Sequence, residues 1–281
     1  MRASRPLMLL PALVLLLMWV PPARALTPGG LDPTFGQGGK VTALPKGAVG
    51  YAVHIDPRGR AIAAGYTLNG QPDFVVARFL QNGTLDTTFG DHGRTVLDLG
   101  GADYAYALDL QPDGKMVVAG ESDVGSTSKI VVARFDSNGR ADTTFGGGDG
   151  FTLTSFGNQH QAANAVVVTP DGNIAVAGFT SAGTNARSAM VRYGPGGQLD
   201  RSFGGDGRVS FDLSASDEQF EAIALDGTNY VLAGYAEVNL TPEFSAAGVT
   251  VAGRLNDQFS HDGFTTTNVT AGADLGYAML R

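Results

Sequence analysis

Not one cysteine occurs in the 281 residues. That excludes a disulfide framework, a thiol nucleophile, thiolate metal ligands and a lipid-modified N-terminal cysteine. Charge is sparse too: 16% of residues are charged, and 19 Lys and Arg against 27 Asp and Glu leave a formal net charge of −8. A chain of that sign repels phosphate backbones and anionic lipid, so no nucleic-acid partner is expected. Long helices are not expected either. Forty glycines interrupt the chain, and each costs about 1 kcal/mol relative to alanine inside a helix. Familiar catalytic signatures are missing: no Gly-x-Ser-x-Gly elbow, no His-Glu-x-x-His pair and no Gly-x-x-x-x-Gly-Lys-Ser/Thr loop.

Segment 1–25 has a composition of its own. Arg2 and Arg5 precede an apolar run from Leu7 to Val20, and Ala23-Arg-Ala25 supplies small residues for cleavage. This is the layout of a secretory signal peptide, with a run too short for a comfortable membrane span. Its removal takes away three arginines and no acid. Residues 26–281 then form the mature chain, with a formal charge of −11, no membrane span and a secreted, periplasmic or cell-surface location.

What is present is repetition. Leu31-Asp-Pro-Thr-Phe-Gly36 returns as Leu85-Asp-Thr-Thr-Phe-Gly90, Ala141-Asp-Thr-Thr-Phe-Gly146 and Leu199-Asp-Arg-Ser-Phe-Gly204, with a worn copy at Asn256-Asp-Gln-Phe-Ser260. Phe35, Phe89, Phe145, Phe203 and Phe259 follow one another at a nearly constant interval. The pairs Ala64-Gly65, Ala119-Gly120, Ala177-Gly178 and Ala233-Gly234 keep the same step, as do the runs ending in Arg78-Phe79, Arg134-Phe135 and Arg192-Tyr193. In the first unit the pattern predicts strands over about 40–44, 51–56, 60–66 and 73–80. Asp56-Pro-Arg-Gly59, Gln111-Pro-Asp-Gly114 and Thr169-Pro-Asp-Gly172 read as tight turns, because proline presets one turn dihedral and glycine accepts the next. Antiparallel hairpins at this period predict an all-β fold: a β-propeller of four-stranded blades. The units run about 31–84, 85–140, 141–198 and 199–254, with a partial fifth at 255–281. The Ala-Gly pairs read as places where crowded sheets approach each other near the axis.

These motifs together, Leu-Asp-x-Thr-Phe-Gly, Pro-Asp-Gly-Lys, Val-Val-Ala-Gly and Val-Ala-Arg-Phe, resemble the delta-60 repeat family over nearly all of 26–281. The resemblance implies exported bacterial β-propellers of unassigned function and carries no catalytic residues with it. One unit departs from the pattern. Arg78, Arg134 and Arg192 stand equally far before Phe89, Phe145 and Phe203, but Arg254 stands six residues nearer to Phe259. The fourth unit therefore reads as missing six residues, its Asn-Gly-type hairpin among them. The fifth lacks its last two strands, which implies an open ring, completion by partner chains or a truncated product.

Candidate chemistry is thin. Each repeated Arg lies eight residues before Asp86, Asp142 or Asp200 across a short turn, and the expected role is an ion pair within each blade. The Gly- and Asp-rich loops after each Phe make Asp91, Asp149, Asp206 and Asp262 candidate calcium ligands. One Asp per loop is sparse for an ion that takes six to eight oxygens, so turn chemistry is the expected explanation and no cofactor is predicted. His54, His92, His160 and His261 read as isolated. The favoured function is a binding or structural module for an extracellular protein or glycan, more a binder than an enzyme. The alternative is a hydrolase or lactonase with its site in the central channel. Unlike polar residues gathered at the axis from different blades would favour the enzyme; a small apolar axis would favour the module.

Overall fold

The computed structural model describes residues 30–42, 47–68, 70–157, 160–183, 185–270 and 272–279; the signal-like segment 1–25 lies outside them. The fold is all-β: four antiparallel sheets of four strands, each in simple meander order. The first blade holds β1 (Val49–Ile55), β2 (Ala61–Tyr66), β3 (Phe74–Phe79) and β4 (Arg94–Leu97), and the second β5 (Asp103–Leu110), β6 (Met116–Val124), β7 (Thr127–Phe135) and β8 (Phe151–Thr154). The third holds β9 (His160–Val168), β10 (Ile174–Ser181), β11 (Ala186–Tyr193) and β12 (Arg208–Ser210). The fourth holds β13 (Glu218–Asp226), β14 (Asn229–Val238), β15 (Thr241–Val249) and β16 (Phe264–Thr267). Among the described residues the only helical element is one short 3-10 turn at Gly146–Gly148. The innermost strands β1, β5, β9 and β13 pack on one another in that order. This is the propeller that the repeats predict.

The blades stack because their middle strands are apolar on both faces. In β6, Met116 and Val118 enter the core shared with the first blade, while Val117 and Ala119 enter the core shared with the third. In β10, Ile174 and Val176 face the second blade, and Ala175 and Ala177 the fourth. Side chains alternate across a strand, so one short run serves two junctions. Strand phase differs from the sequence units by one place. Each sheet takes its fourth strand from the loop that follows the next Leu-Asp-x-Thr-Phe-Gly motif, and β16, from the fifth unit, completes the fourth blade.

The fourth blade overturns the deletion read from its sequence. In the first blade Leu80 N–H donates to Thr84 O and Gly83 N–H to Leu80 O; in the fourth, Thr250 and Arg254, then Gly253 and Thr250, make the same pair of bonds. The hairpin is present, and Arg254 sits in it. Asp86 N–H donates to Arg78 O, and its counterpart is Asn256 N–H to Gly248 O. Gly248 thus stands where the repeated Arg stands, as far before Phe259 as Arg78 is before Phe89. No residue is missing; the Arg and its Asp partner have both been replaced.

Candidate functional site

Each of the four innermost strands carries a one-residue bulge at the same place. Gly50 pairs with Gly65 and Ala52 with Ala64, so Tyr51 is extra. Tyr106, Asn164 and Glu221 are extra in β5, β9 and β13 in the same way. The glycine opposite is what admits the bulge. A Cβ on Gly65 or Gly120 would lie 1.8 Å from a carbonyl oxygen of the inner strand, and on Gly178 or Gly234 2.2 or 2.0 Å. The Ala-Gly pairs therefore answer a demand inside each sheet, and not the approach of neighbouring sheets that the sequence suggested. Bulges re-aim side chains, and here all four extra residues point at one place.

That place is an axial cavity of about 430 Å³. Its walls include Tyr51, Tyr106, Asn164 and Glu221 from the bulges and Tyr277 from the segment after β16. Tyr277 occupies the same position in its unit. Asp274 N–H donates to Pro242 O as Asp103 N–H donates to Pro72 O, and Tyr277 follows Asp274 by three residues as Tyr106 follows Asp103. Glu121 and Phe179, each next to its Ala-Gly pair, complete the wall with His160, Ala162 and Gln219. Tyr106 Oη donates to Glu121 Oε1 at 2.7 Å, and His160 Nε2 lies 3.0 Å from Glu121 Oε2. Gln219 Nε2 donates to Glu221 Oε1, and Asn164 Nδ2 to Phe220 O at 3.1 Å. Tyr51, Tyr66, Tyr104 and Tyr106 form a contiguous set of stacked and edge-on rings with centroids 4.8–6.2 Å apart. Burial, then the Glu121 charge, pushes the Tyr106 phenol up, and burial pushes the Glu221 carboxyl up. Among the described residues no Lys or Arg lines this cavity.

The repeated Arg–Asp pairs form as expected. Arg78 Nε donates to Asp86 Oδ2 at 2.9 Å, and Arg134 to Asp142 and Arg192 to Asp200 both at 2.8 Å. The same guanidinium does two further jobs that sequence reasoning missed. It covers the repeat Phe of its own blade, at 4.6, 4.7 and 5.0 Å from ring centroid for Phe89, Phe145 and Phe203. Its Nη1 also donates to a turn carbonyl of the next blade: Ser137 O at 2.6 Å, Pro195 O at 2.5 Å, and Val251 O. These arginines are structural staples between blades. Burial opposes ionisation of Asp86 and Asp200, yet hydrogen bonds from Thr88 and Ser202 and the arginine charges outweigh it, holding both carboxyls below the usual range.

Asp91, Asp149, Asp206 and Asp262 are all exposed, each in the outer loop of its own repeat, and the fold does not bring them together. Asp206 accepts from Arg208, Asp262 from Ser260 Oγ and Phe264 N–H, and Asp91 lies 2.6 Å from His92. Of the histidines read as isolated, His160 alone reaches the axial cavity. A different acidic group does assemble: Asp73, Asp98 and Asp103 offer carboxylate oxygens within 4.8 Å of one another at the junction of the first two blades.

Three segments of the chain, 59–89, 111–145 and 169–203, match a family model described as a domain of unknown function (DUF5122) beta-propeller. Each matched segment ends on a repeat Phe, and the fourth blade, with its Gly248 and Asn256, is not matched. The match supports a β-propeller repeat family. No curated protein matches the chain.

Proposed function

We propose that this protein is an exported propeller of the delta-60 type that binds a small organic cation in its axial cavity. One observation carries the reading: four bulges aim unlike polar and aromatic side chains from all four blades into a single space of about 430 Å³ with no Lys or Arg in its described wall. That volume falls within the usual range of small-ligand sites. Tyrosine faces attract cations, and a cation nearby favours the charged form of Glu221, whose partly buried carboxyl is pushed up by burial. The formal charge of −11 on residues 26–281 draws cations toward the surface. The same features argue against an anionic ligand. Export rests on the signal-like segment 1–25.

Isothermal titration of the purified protein with tetramethylammonium, benzyltrimethylammonium, glucose and acetate tests the proposal. The ammonium ions bind and acetate does not; Glu221→Gln weakens ammonium binding about tenfold while leaving the thermal midpoint unchanged. Binding of acetate, or of glucose in place of the ammonium ions, contradicts it. A second reading, hydrolysis, has two observations in its favour: the unlike polar residues gathered at the axis, and one histidine among them. His160, held 3.0 Å from Glu121, is oriented as a general base would be. Turnover of simple lactones or esters that is lost in His160→Gln would establish hydrolysis.

A further inference from the structure

The same three positions recur beside every blade, and their occupants differ. They are the residue before the third strand's core, a residue just past the fourth strand, and an inner-strand residue of the following segment. The second blade has Lys129, Ser155 and Gln161; the third has Arg187, Asp212 and Glu218, with Arg187 Nη2 3.0 Å from Asp212 Oδ2. After the fourth blade come Glu243, Asn268 and Asp274, with Asn268 Nδ2 3.4 Å from Glu243 Oε1. Only the first places three acids, Asp73, Asp98 and Asp103, at these positions with no base or amide among them.

The inner-strand residue has a common task. Its side-chain oxygen accepts a backbone N–H from the preceding loop: Leu99 to Asp103, Phe156 to Gln161, Leu213 to Glu218 and Val269 to Asp274. Both oxygens of Glu218 and of Asp274 are engaged. Asp103 differs. It is 0% exposed, its Oδ2 takes the Leu99 N–H, and its Oδ1 has no hydrogen-bond partner. Burial, with the Asp73 and Asp98 charges beside it, pushes the Asp103 carboxyl up against a smaller pull from the nearby Ser122 hydroxyl, which makes no bond of good geometry with it. A fully buried carboxylate oxygen left over beside two other carboxylates needs a positive partner, since burying such a group unpaired is costly. In the third blade a guanidinium stands at the position matching Asp73 and pairs with Asp212, the counterpart of Asp98.

We propose that Asp73, Asp98 and Asp103 bind a divalent cation, calcium by its tolerance of irregular oxygen ligands, which clamps the first blade to the second. The site is separate from the axial cavity and is made by different residues. Carboxylates from a β2–β3 loop, a β4 exit and the start of β5 converge on it, so the ion joins three elements across one junction. Calcium accepts such mixed carboxylate sets at flexible geometry, whereas magnesium demands a near-ideal octahedron.

Thermal unfolding of the full chain, stripped with chelator and then titrated with calcium chloride or magnesium chloride, tests this. Calcium raises the midpoint of the native protein by about 5 °C at a hundredfold excess over its Kd, and magnesium does less. Asp98 is exposed, so Asp98→Asn folds and loses most of the response. Asp73→Arg rebuilds the Arg187–Asp212 arrangement, raising the midpoint without calcium and abolishing the calcium effect. A native midpoint that ignores calcium overturns the proposal and leaves a shared proton as the relief of the cluster's charge. A calcium response that survives unchanged in both variants overturns it too, since the ion would then sit elsewhere, as in the loops of Asp91, Asp149, Asp206 and Asp262.

Discussion

Arg192 shows what a repeated side chain does in this molecule. Its guanidinium is held by Asp200, lies over Phe203 and reaches Val251 O of the next blade. Removing Asp200, which is partly buried, would leave the buried Arg192 uncompensated; for fully buried pairs that costs about 3–5 kcal/mol, and somewhat less is expected here. Asp200→Asn is therefore expected to destabilise strongly, and the double change Arg192→Met with Asp200→Asn clearly less, a coupling that a double-mutant cycle in urea measures. The fourth blade has already made the paired change, with Gly248 and Asn256. The pH dependence follows the same groups. Asp86 and Asp200 have folded-state carboxyls below their usual value. Their contribution is complete above the unfolded pKa, about 3.9, and is lost as pH falls through the depressed value. Thermal midpoints should thus drop steeply below about pH 4, and less steeply in the double variant. The Arg–Asp pairing was legible because a spacing of eight recurs three times. Its loss in the fourth blade was misread because Arg254 mimics the motif from within a turn.

The bulge is the element that turns a scaffold into a site. Its glycine was visible in the sequence as a recurring Ala-Gly, but its purpose was not. An inserted residue in the inner strand leaves the repeat length unchanged and so makes no signature of its own. The column it fills holds three residue types, in Tyr51, Tyr106, Asn164 and Glu221, whereas the next column is alanine in every blade: Ala52, Ala107, Ala165 and Ala222. Reading that column as functional required knowing that it faces the axis. Gly120→Ala tests the geometry, since its Cβ would meet Tyr104 O at 1.8 Å. Forcing atoms into a filled space costs roughly 1–3 kcal/mol. Urea unfolding should show that loss, and Tyr106 should lose its contact with Glu121. The strand phase was likewise hidden, because turns mark hairpins but do not say which hairpin begins a sheet.

At the scale of the whole molecule, three shared cores hold the blades together, and the axis is left for chemistry. Cores alternate by strand periodicity, so the propeller followed from short apolar runs and turn residues repeated at one period. The axial cavity could not be read that way, because its walls come from residues far apart in the chain. Of the two outcomes weighed from sequence, unlike polar residues at the axis is the one found; it is the outcome that favours an enzyme, and it makes the cavity the place to test both binding and hydrolysis. The most direct test is nuclear magnetic resonance of the tyrosine rings during titration with benzyltrimethylammonium. The account predicts shifts at Tyr51, Tyr106 and Tyr277, with Tyr193 and Tyr230, buried between blades, unmoved. Unchanged axial rings under saturating probe, or shifts confined to the outer loops, would contradict it.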